Sequence, residues 1–407
     1  MRLVVTCNGP GEAAGWLRPL LRALYDQSPD ADVHVFFVPD DYATGEEPAF
    51  VRSLFPQAHV YDRKAYVRVA LGARYDGVPS GTEAVLYLGG DLMHAARLQR
   101  RFGGATMTYK FSSRRYARRT ERAFAVDEAN AERFRNDGIP PDRVAVVGNL
   151  AVDGAVAEAE SALGESTGEG GLLIMPGSRR HEVEQLIPFF FTAALWIKRE
   201  LPSMPIAFAI SPFTQLEAVR DAVERGGDRR MFAQRGRMVR EGADAYLVSS
   251  HGDARFPIVR NAMAAARRAK LALTIPGTKT IELAALGTPA VACTPLNAAE
   301  LIAVNGPLTY LDRLPFAGVA LKRSVATAIS RRYRFHTQPN MDAGRELIAE
   351  LHGTLTPGRV ARVVLERLAD REWLAETSQM LAALYARHRG AAARMAGDLL
   401  GALRVYA

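Results

Sequence analysis

The chain has 407 residues, 48% of them hydrophobic and 24% charged, a composition that belongs to a folded globular protein and excludes a disordered or fibrous one. That length is too great for one ordinary core and predicts two domains. The net charge of +8 suits an anionic substrate, an anionic membrane surface or nucleic acid, and does not choose among them.

The two cysteines, Cys7 and Cys293, lie far apart inside apolar runs and are expected to be buried free thiols. No run approaches the roughly 18 apolar residues of a spanning helix. The N-terminus reads as a first strand, not a signal peptide, so a cytoplasmic location is expected, with any membrane contact peripheral and on the inner face of the cytoplasmic membrane.

In chain order, 3–7 is an apolar strand, 8–12 (NGPGE) a glycine-rich turn and 13–25 a helix. Strands follow at 33–38 and 85–88, the second closed by Gly89-Gly90-Asp91, and a basic helix covers 93–101. Short strands at 106–109 and 123–126 flank the basic stretch 112–122. A helix at 128–136 and a strand at 144–147 complete this half. Alternating strands and helices predict a parallel, doubly wound sheet. The segment 157–171, rich in Glu, Ser, Gly and Ala, reads as the domain boundary.

The second half opens on LLIMPGSRRHEVEQLIP (172–188). Residues 172–175 read as a buried strand, and Val183, Leu186, Ile187 and Phe190 have helical spacing. A strand, a Gly turn and a helix start together point free N–H groups at an anion. Ser178 is expected to cap that helix, with Arg179 and Arg180 adding positive charge. Strands are then predicted at 206–210, 246–248, 271–275 and 290–293, and helices at 215–224, 258–266 and 281–286. From 356 the chain reads as helical to its end.

The turn Pro276-Gly277-Thr278-Lys279-Thr280 repeats the logic of Gly177-Ser178-Arg179. Its hydroxyls and N–H groups suit a diphosphate, and Glu282 suits ribose hydroxyls; the same residues also fit a local capping box. Together the two turns point to a nucleotide diphosphate. No GxGxxG follows a strand, which argues against a dinucleotide cofactor.

These stretches carry a resemblance. PGSRRHEVEQLIP, IPGTKTIELAALGTPAV and QPNMDAGRELIAELHGTLTP resemble, in the same order, segments of the lipid-A-disaccharide synthase family of GT-B glycosyltransferases. GPGEAAGW (9–16), GGDLMHAARLQRR and VGNLAVD resemble the family's N-terminal segments less closely. Ala14 stands where the family has Ser, Trp16 where it has Asp, and Asn149-Leu150 where it has His-Pro. A tryptophan-containing stretch near 110–116 is absent, and 44–80 shows no apolar amphipathic segment for acyl chains.

The resemblance implies an α/β fold of the GT-B type: two Rossmann-like, doubly wound parallel-sheet domains facing a cleft, with C-terminal helices. The expected domains are 1–160 on the acceptor side and 170–355 on the UDP-sugar side, with helices over 356–407 packing back on the first. The implied reaction is inverting transfer of a hexosamine from a UDP-sugar, UDP-2,3-diacylglucosamine being the specific donor, to a glycolipid acceptor. The UDP-sugar site is expected at Gly177, Ser178, Arg179, Gly277, Thr278, Thr280, Glu282, Asn340 and Arg345.

The attacking hydroxyl needs a base. Asp91, at a strand's carboxyl end, is the first candidate and equally a helix N-cap; Glu12 is the second. His94 reads as a surface histidine on a basic helix, and His181 as a donor-side contact or a solvated residue. No Asp-x-Asp motif ends a strand, so no metal and no cofactor are expected. The arginines of 97–101 and 114–122 are a solvated face or a patch for anionic lipid; few aromatics accompany them, so nucleic acid is not expected as a partner. A UDP-N-acetylglucosamine 2-epimerase and a non-catalytic nucleotide- or lipid-binding homologue are the alternatives.

Overall fold

A computed structural model describes residues 1–40, 43–161, 170–297 and 334–406. The chain divides into two compact units, Met1–Ala157 with Ala386–Ala407, and Glu158–Tyr385.

The first unit carries seven strands: β1 (Arg2–Cys7), β2 (Asp32–Phe37), β3 (His59–Tyr61), β4 (Ala84–Tyr87), β5 (Ala105–Tyr109), β6 (Thr120–Ala125) and β7 (Val144–Val146). All pair in parallel, in the order β3-β2-β1-β4-β5-β6-β7. β1 beyond Arg2, and all of β4, are buried because helices cover both faces of a parallel sheet. The fully buried Cys7 closes β1, and burial pushes its thiol pKa up, as expected of a free structural cysteine.

The second unit carries β8 (Leu172–Ile174), β9 (Ile206–Ala209), β10 (Gly236–Glu241), β11 (Asp244–Ser249), β12 (Arg255–Val259), β13 (Leu271–Thr274), β14 (Ala290–Pro295) and β15 (Ala349–Gly353). Their order is β10-β11-β12-β9-β8-β13-β14-β15. β10 and β11, and β11 and β12, pair antiparallel; the remaining pairs are parallel. The core centres on Phe189, Phe190 and Phe191 of the helix Arg180–Glu200, packed with Phe208 and Phe256.

Two expectations about helices change here. The first helical stretch begins at Pro10, not residue 13, so Gly11 and Glu12 lie in its first turn, ahead of a π-helical turn at Ala13–Leu17. The helix expected over 258–266 is a strand end followed by a helix at Ala262–Arg268, because Phe256 is drawn into the aromatic core. Of the segment 157–171 expected as the boundary, the two units divide between Ala157 and Glu158, inside the helix Leu150–Ser161, and residues 162–169 lie outside the described ones.

The C-terminal helices also divide. Pro357–Ala369 packs on Arg180–Glu200 in the second unit, and Arg371–Ala386 holds Asp342 through the Tyr385 hydroxyl at 2.7 Å. Of the expected tail, the helix Ala391–Tyr406 lies on the first unit. It is fastened by a bidentate Arg122–Asp398 pair and by Asp153, whose carboxylate accepts from Gly390 N and Ala392 N at 2.8 and 2.7 Å. Among the described residues no helix is long and apolar enough to cross a membrane.

Candidate functional site

Strand order decides where each sheet can bind a ligand. In the second sheet β8 has β9 on one side and β13 on the other, so the connections leaving β8 and β13 part at this point and open a crevice at the carboxyl ends. The turns after these two strands are 176–179 and 276–280, the pair singled out by sequence. The Thr274 hydroxyl donates to Met175 O at 3.1 Å and Met175 N to Leu273 O at 2.8 Å, which fixes them side by side.

The first turn is closed by its own chain. Gly177 has φ +104°, and the carboxylate of Glu182 accepts from Ser178 N at 2.8 Å and Arg179 N at 2.9 Å. Arg179, not Ser178, holds the N-cap position of the helix Arg180–Glu200. Two donors expected to face an anion are therefore already satisfied. Arg179 itself remains partly exposed, with a guanidinium nitrogen 3.8 Å from Glu182. Arg180 is almost fully exposed and paired with Glu184, and His181 is half-buried in the first helical turn.

The second turn is open. A Cβ built on Gly277 meets nothing within 4 Å, and the helix Thr278–Ala285 starts there without a side-chain cap. The Thr280 hydroxyl is buried and donates back to Gly277 O at 2.7 Å, so it shapes the turn and leaves Thr278 and the helix start facing outward. Glu282 is buried, and Lys279 Nζ lies 2.7 Å from its carboxylate. A buried carboxylate needs such a partner, and here it is a lysine one helical turn earlier.

Asn340 and Arg345 are placed differently from expectation. Asn340 is fully buried and its amide is saturated: Nδ2 donates to Ile348 O and to Glu350, while Oδ1 accepts from Leu347 N and Ile348 N, all at 2.7–2.8 Å. It offers nothing to a ligand and instead ties the helix Gln338–Ala343 to β15. Arg345 is exposed beside Met380.

In the first sheet β1 lies between β2 and β4, which opens a second crevice at the carboxyl ends of β1 and β4. Glu12 follows β1 and Asp91 follows β4, so topology brings the two candidate bases to one edge. A Cβ on Gly89 would lie 2.2 Å from Asn8 Oδ1 and 3.2 Å from Glu12 Cγ, so only glycine permits this approach. Asn8 Nδ2 donates to Asp40 at 2.6 Å. Burial pushes the Tyr87 phenol pKa up, and Glu12 and Asp91 both add to that shift, which places two carboxylates around one phenol. Asp91 is exposed and caps the helix Leu92–Phe102 by accepting from Met93 N at 2.7 Å, so one of its oxygens is engaged and the N-cap reading is met.

His94 is buried, not on the surface, and its Nδ1 lies 2.6 Å from the Tyr66 hydroxyl. Burial lowers its pKa below the ordinary histidine value; Asp91 opposes that shift and Arg97 adds to it. The unfolded chain takes up this proton at about pH 6.5, whereas the folded protein resists it. The stability His94 supports is complete above that pH and declines as pH falls through it. His94→Gln is expected to shrink the loss of denaturation midpoint between pH 7.5 and pH 5, measured against wild type in urea.

Sequence reasoning passed over Glu182, Lys279, Asn8 and Asp40. The first two stand three residues after Arg179 and three before Glu282, a capping-box spacing and a helical ion-pair spacing that were there to be read. Asn8 and Asp40 had no such signal, since only the β1–β2 pairing brings them together. Lys110 is another: a non-glycine residue at φ +65°, held by Asn130 donating to its carbonyl, with its ammonium 5.0 Å from the Trp16 ring. A cavity of about 960 Å³, lined by Arg2, Glu83, Gln99, Arg118, Arg119 and Glu121 among others, opens at the amino edge of the first sheet and contains none of the expected site residues.

Comparison with solved structures matches this architecture along the chain. S. aureus MnaA, solved with UDP, superposes with a TM-score of 0.60 at 13% identity, over 100% of this chain and 96% of that one. The UDP-GlcNAc 2-epimerases of Neisseria meningitidis, bound to UDP-GlcNAc, and Methanocaldococcus jannaschii, with UDP-GlcNAc and UDP, give 0.55 and 0.53, each at 13% identity. They cover 98% of this chain and 100% and 99% of their own. The fold is GT-B-like. No family model matches the sequence. Among curated proteins, lipid-A-disaccharide synthase of Ruegeria pomeroyi is 32% identical over 126 residues, 31% of this chain and 27% of that protein's length.

Proposed function

We propose that this chain is a UDP-sugar-dependent enzyme that transfers a hexosamine, with inversion, to a glycolipid acceptor. The observation that carries the reading is the pair of turns 176–179 and 276–280, locked side by side at the switch point of the second sheet. The open helix start at Thr278 and the Arg179 guanidinium are suited to the charge that grows on a departing diphosphate. Glu282 is the proposed ribose contact, its charge and position held by Lys279. Glu12 and Asp91 are the proposed proton acceptors. The partial likeness to the Ruegeria pomeroyi synthase supports a lipid-linked acceptor. Peripheral association with anionic membrane, and UDP-2,3-diacylglucosamine as the first donor to test, are proposed on the resemblance in the sequence. The proposed chemistry calls on no metal.

Incubation with labelled UDP-hexosamines and membrane lipid tests this reading. Label in lipid supports it. An interconverted UDP-sugar replaces it with 2-epimerase activity, and binding without product with a non-catalytic homologue. Arg179→Ala is expected to weaken UDP by about 10- to 100-fold in calorimetry, the worth of one charge-assisted contact. An unchanged affinity removes Arg179 from the site.

A further inference from the structure

At the amino edge of the first sheet, far along β1 and β2 from the carboxyl ends, three residues of metal-ligating type converge. β2 and β3 pair so that His34 lies opposite His59, and their rings stack with centroids 4.5 Å apart. Asp32 opens β2. Its Oδ1 is 2.9 Å from His34 Nε2 and 3.6 Å from His59 Nε2, and the three donor atoms all lie within 4.8 Å of one another.

The hydrogen bonds around His34 fix what this cluster presents. The Tyr61 hydroxyl donates its only proton to Gly77 O. The 2.9 Å contact between Tyr61 and His34 Nδ1 is therefore made by Nδ1–H donating to the phenol oxygen. Nε2 of the neutral ring is then a lone pair. Its side chain is only 4% exposed, and Nε2 has no aligned hydrogen bond, yet it stands 2.9 Å from a carboxylate oxygen. Two electron-rich atoms held that close repel unless a proton or a metal cation lies between them.

We propose that Asp32, His34 and His59 form a divalent-cation site of the zinc type. Two imidazole nitrogens and one carboxylate oxygen are a donor set zinc takes, with room for water as fourth ligand. Donors around a tetrahedral zinc at about 2.0–2.1 Å stand roughly 3.3–3.5 Å apart, between the two distances seen at Asp32. The supporting contacts are those metal sites use: Tyr61 orients His34 from its far nitrogen, and Arg2 Nε binds the other Asp32 oxygen at 2.6 Å, leaving Oδ1 for the ion. His59 is 54% exposed, so its ring can tilt onto the ion without disturbing the core. The ion would staple the three-residue edge strand β3 to β2, on the edge of the sheet opposite Glu12 and Asp91.

The test titrates the full-length, chelator-treated protein with zinc chloride by calorimetry, with a melting curve at each end point. One zinc per chain and a raised melting midpoint are expected in wild type and in His251→Ala, a control at an exposed histidine of the second unit. His59→Ala changes a half-exposed side chain and is expected to stay folded while affinity falls at least about tenfold. His34→Ala is expected to abolish binding but risks the fold, so His59→Ala is decisive. Substoichiometric binding by wild type, or equal affinity in His59→Ala, overturns the assignment.

Discussion

Asn340→Ala is expected to destabilise the second unit by about 3–5 kcal/mol, read as a lowered urea midpoint, while UDP affinity per folded molecule stays at the wild-type value. The side chain is fully buried and its amide makes four hydrogen bonds to Leu347, Ile348 and Glu350. Truncation strands two backbone N–H groups and a carbonyl away from water. It also strips one donor from Glu350, whose carboxylate accepts as well from His336 N, Thr337 N and the Thr337 hydroxyl. The resemblance in the sequence implied a UDP contact at this position. A variant that folds with unchanged stability and loses UDP would restore that role and remove the structural one.

Gly177→Ala is expected to cost about 2–4 kcal/mol and to weaken UDP at the same time. The residue sits at φ +104°, where an L side chain is strained by about 1–2 kcal/mol. Its new Cβ would stand 2.2 Å from Glu182 Oε2. The carboxylate must move, and Ser178 N and Arg179 N lose their acceptor, at about 1 kcal/mol for the lost cap. Glu182→Ala removes the object of the clash, so the double variant should be destabilised by less than the sum of the two singles. Additive effects in urea denaturation would show that glycine and carboxylate do not share the turn.

The alternation of strands and helices was legible because buried parallel strands are continuous apolar runs, and β1, β4, β8 and β13 each read that way. The strands that escaped notice are of another kind. β10 (GRMVRE) and β12 (RFPIV) belong to an antiparallel excursion whose residues are partly solvated, so their patterns carry polar and proline interruptions. β3 is three residues long and shows no pattern at all, and β15 (AELHG), on the parallel edge of the second sheet, is broken by Glu and His.

The two phosphate-type turns and the two candidate carboxylates were visible one at a time, as a strand end, a glycine and a helix start. Their roles within the fold were not. Asn340 looked like a ligand contact because an asparagine amide reads the same in sequence whether it faces a ligand or a backbone.

By itself, then, the sequence determined two doubly wound halves, buried free cysteines and two Gly turns of anion-binding type, since apolar period and turn chemistry are local properties. Only the tertiary structure decided that β8 lies beside β13 and β1 beside β4, which brings each pair of turns to one sheet edge. It alone decided that Glu182 fills the first turn while Gly277 leaves the second open, and that His34 meets His59. Strand order and side-chain pairing join residues 99 positions apart at Met175 and Thr274 and 276 apart at Arg122 and Asp398, and no local pattern encodes which of them will meet.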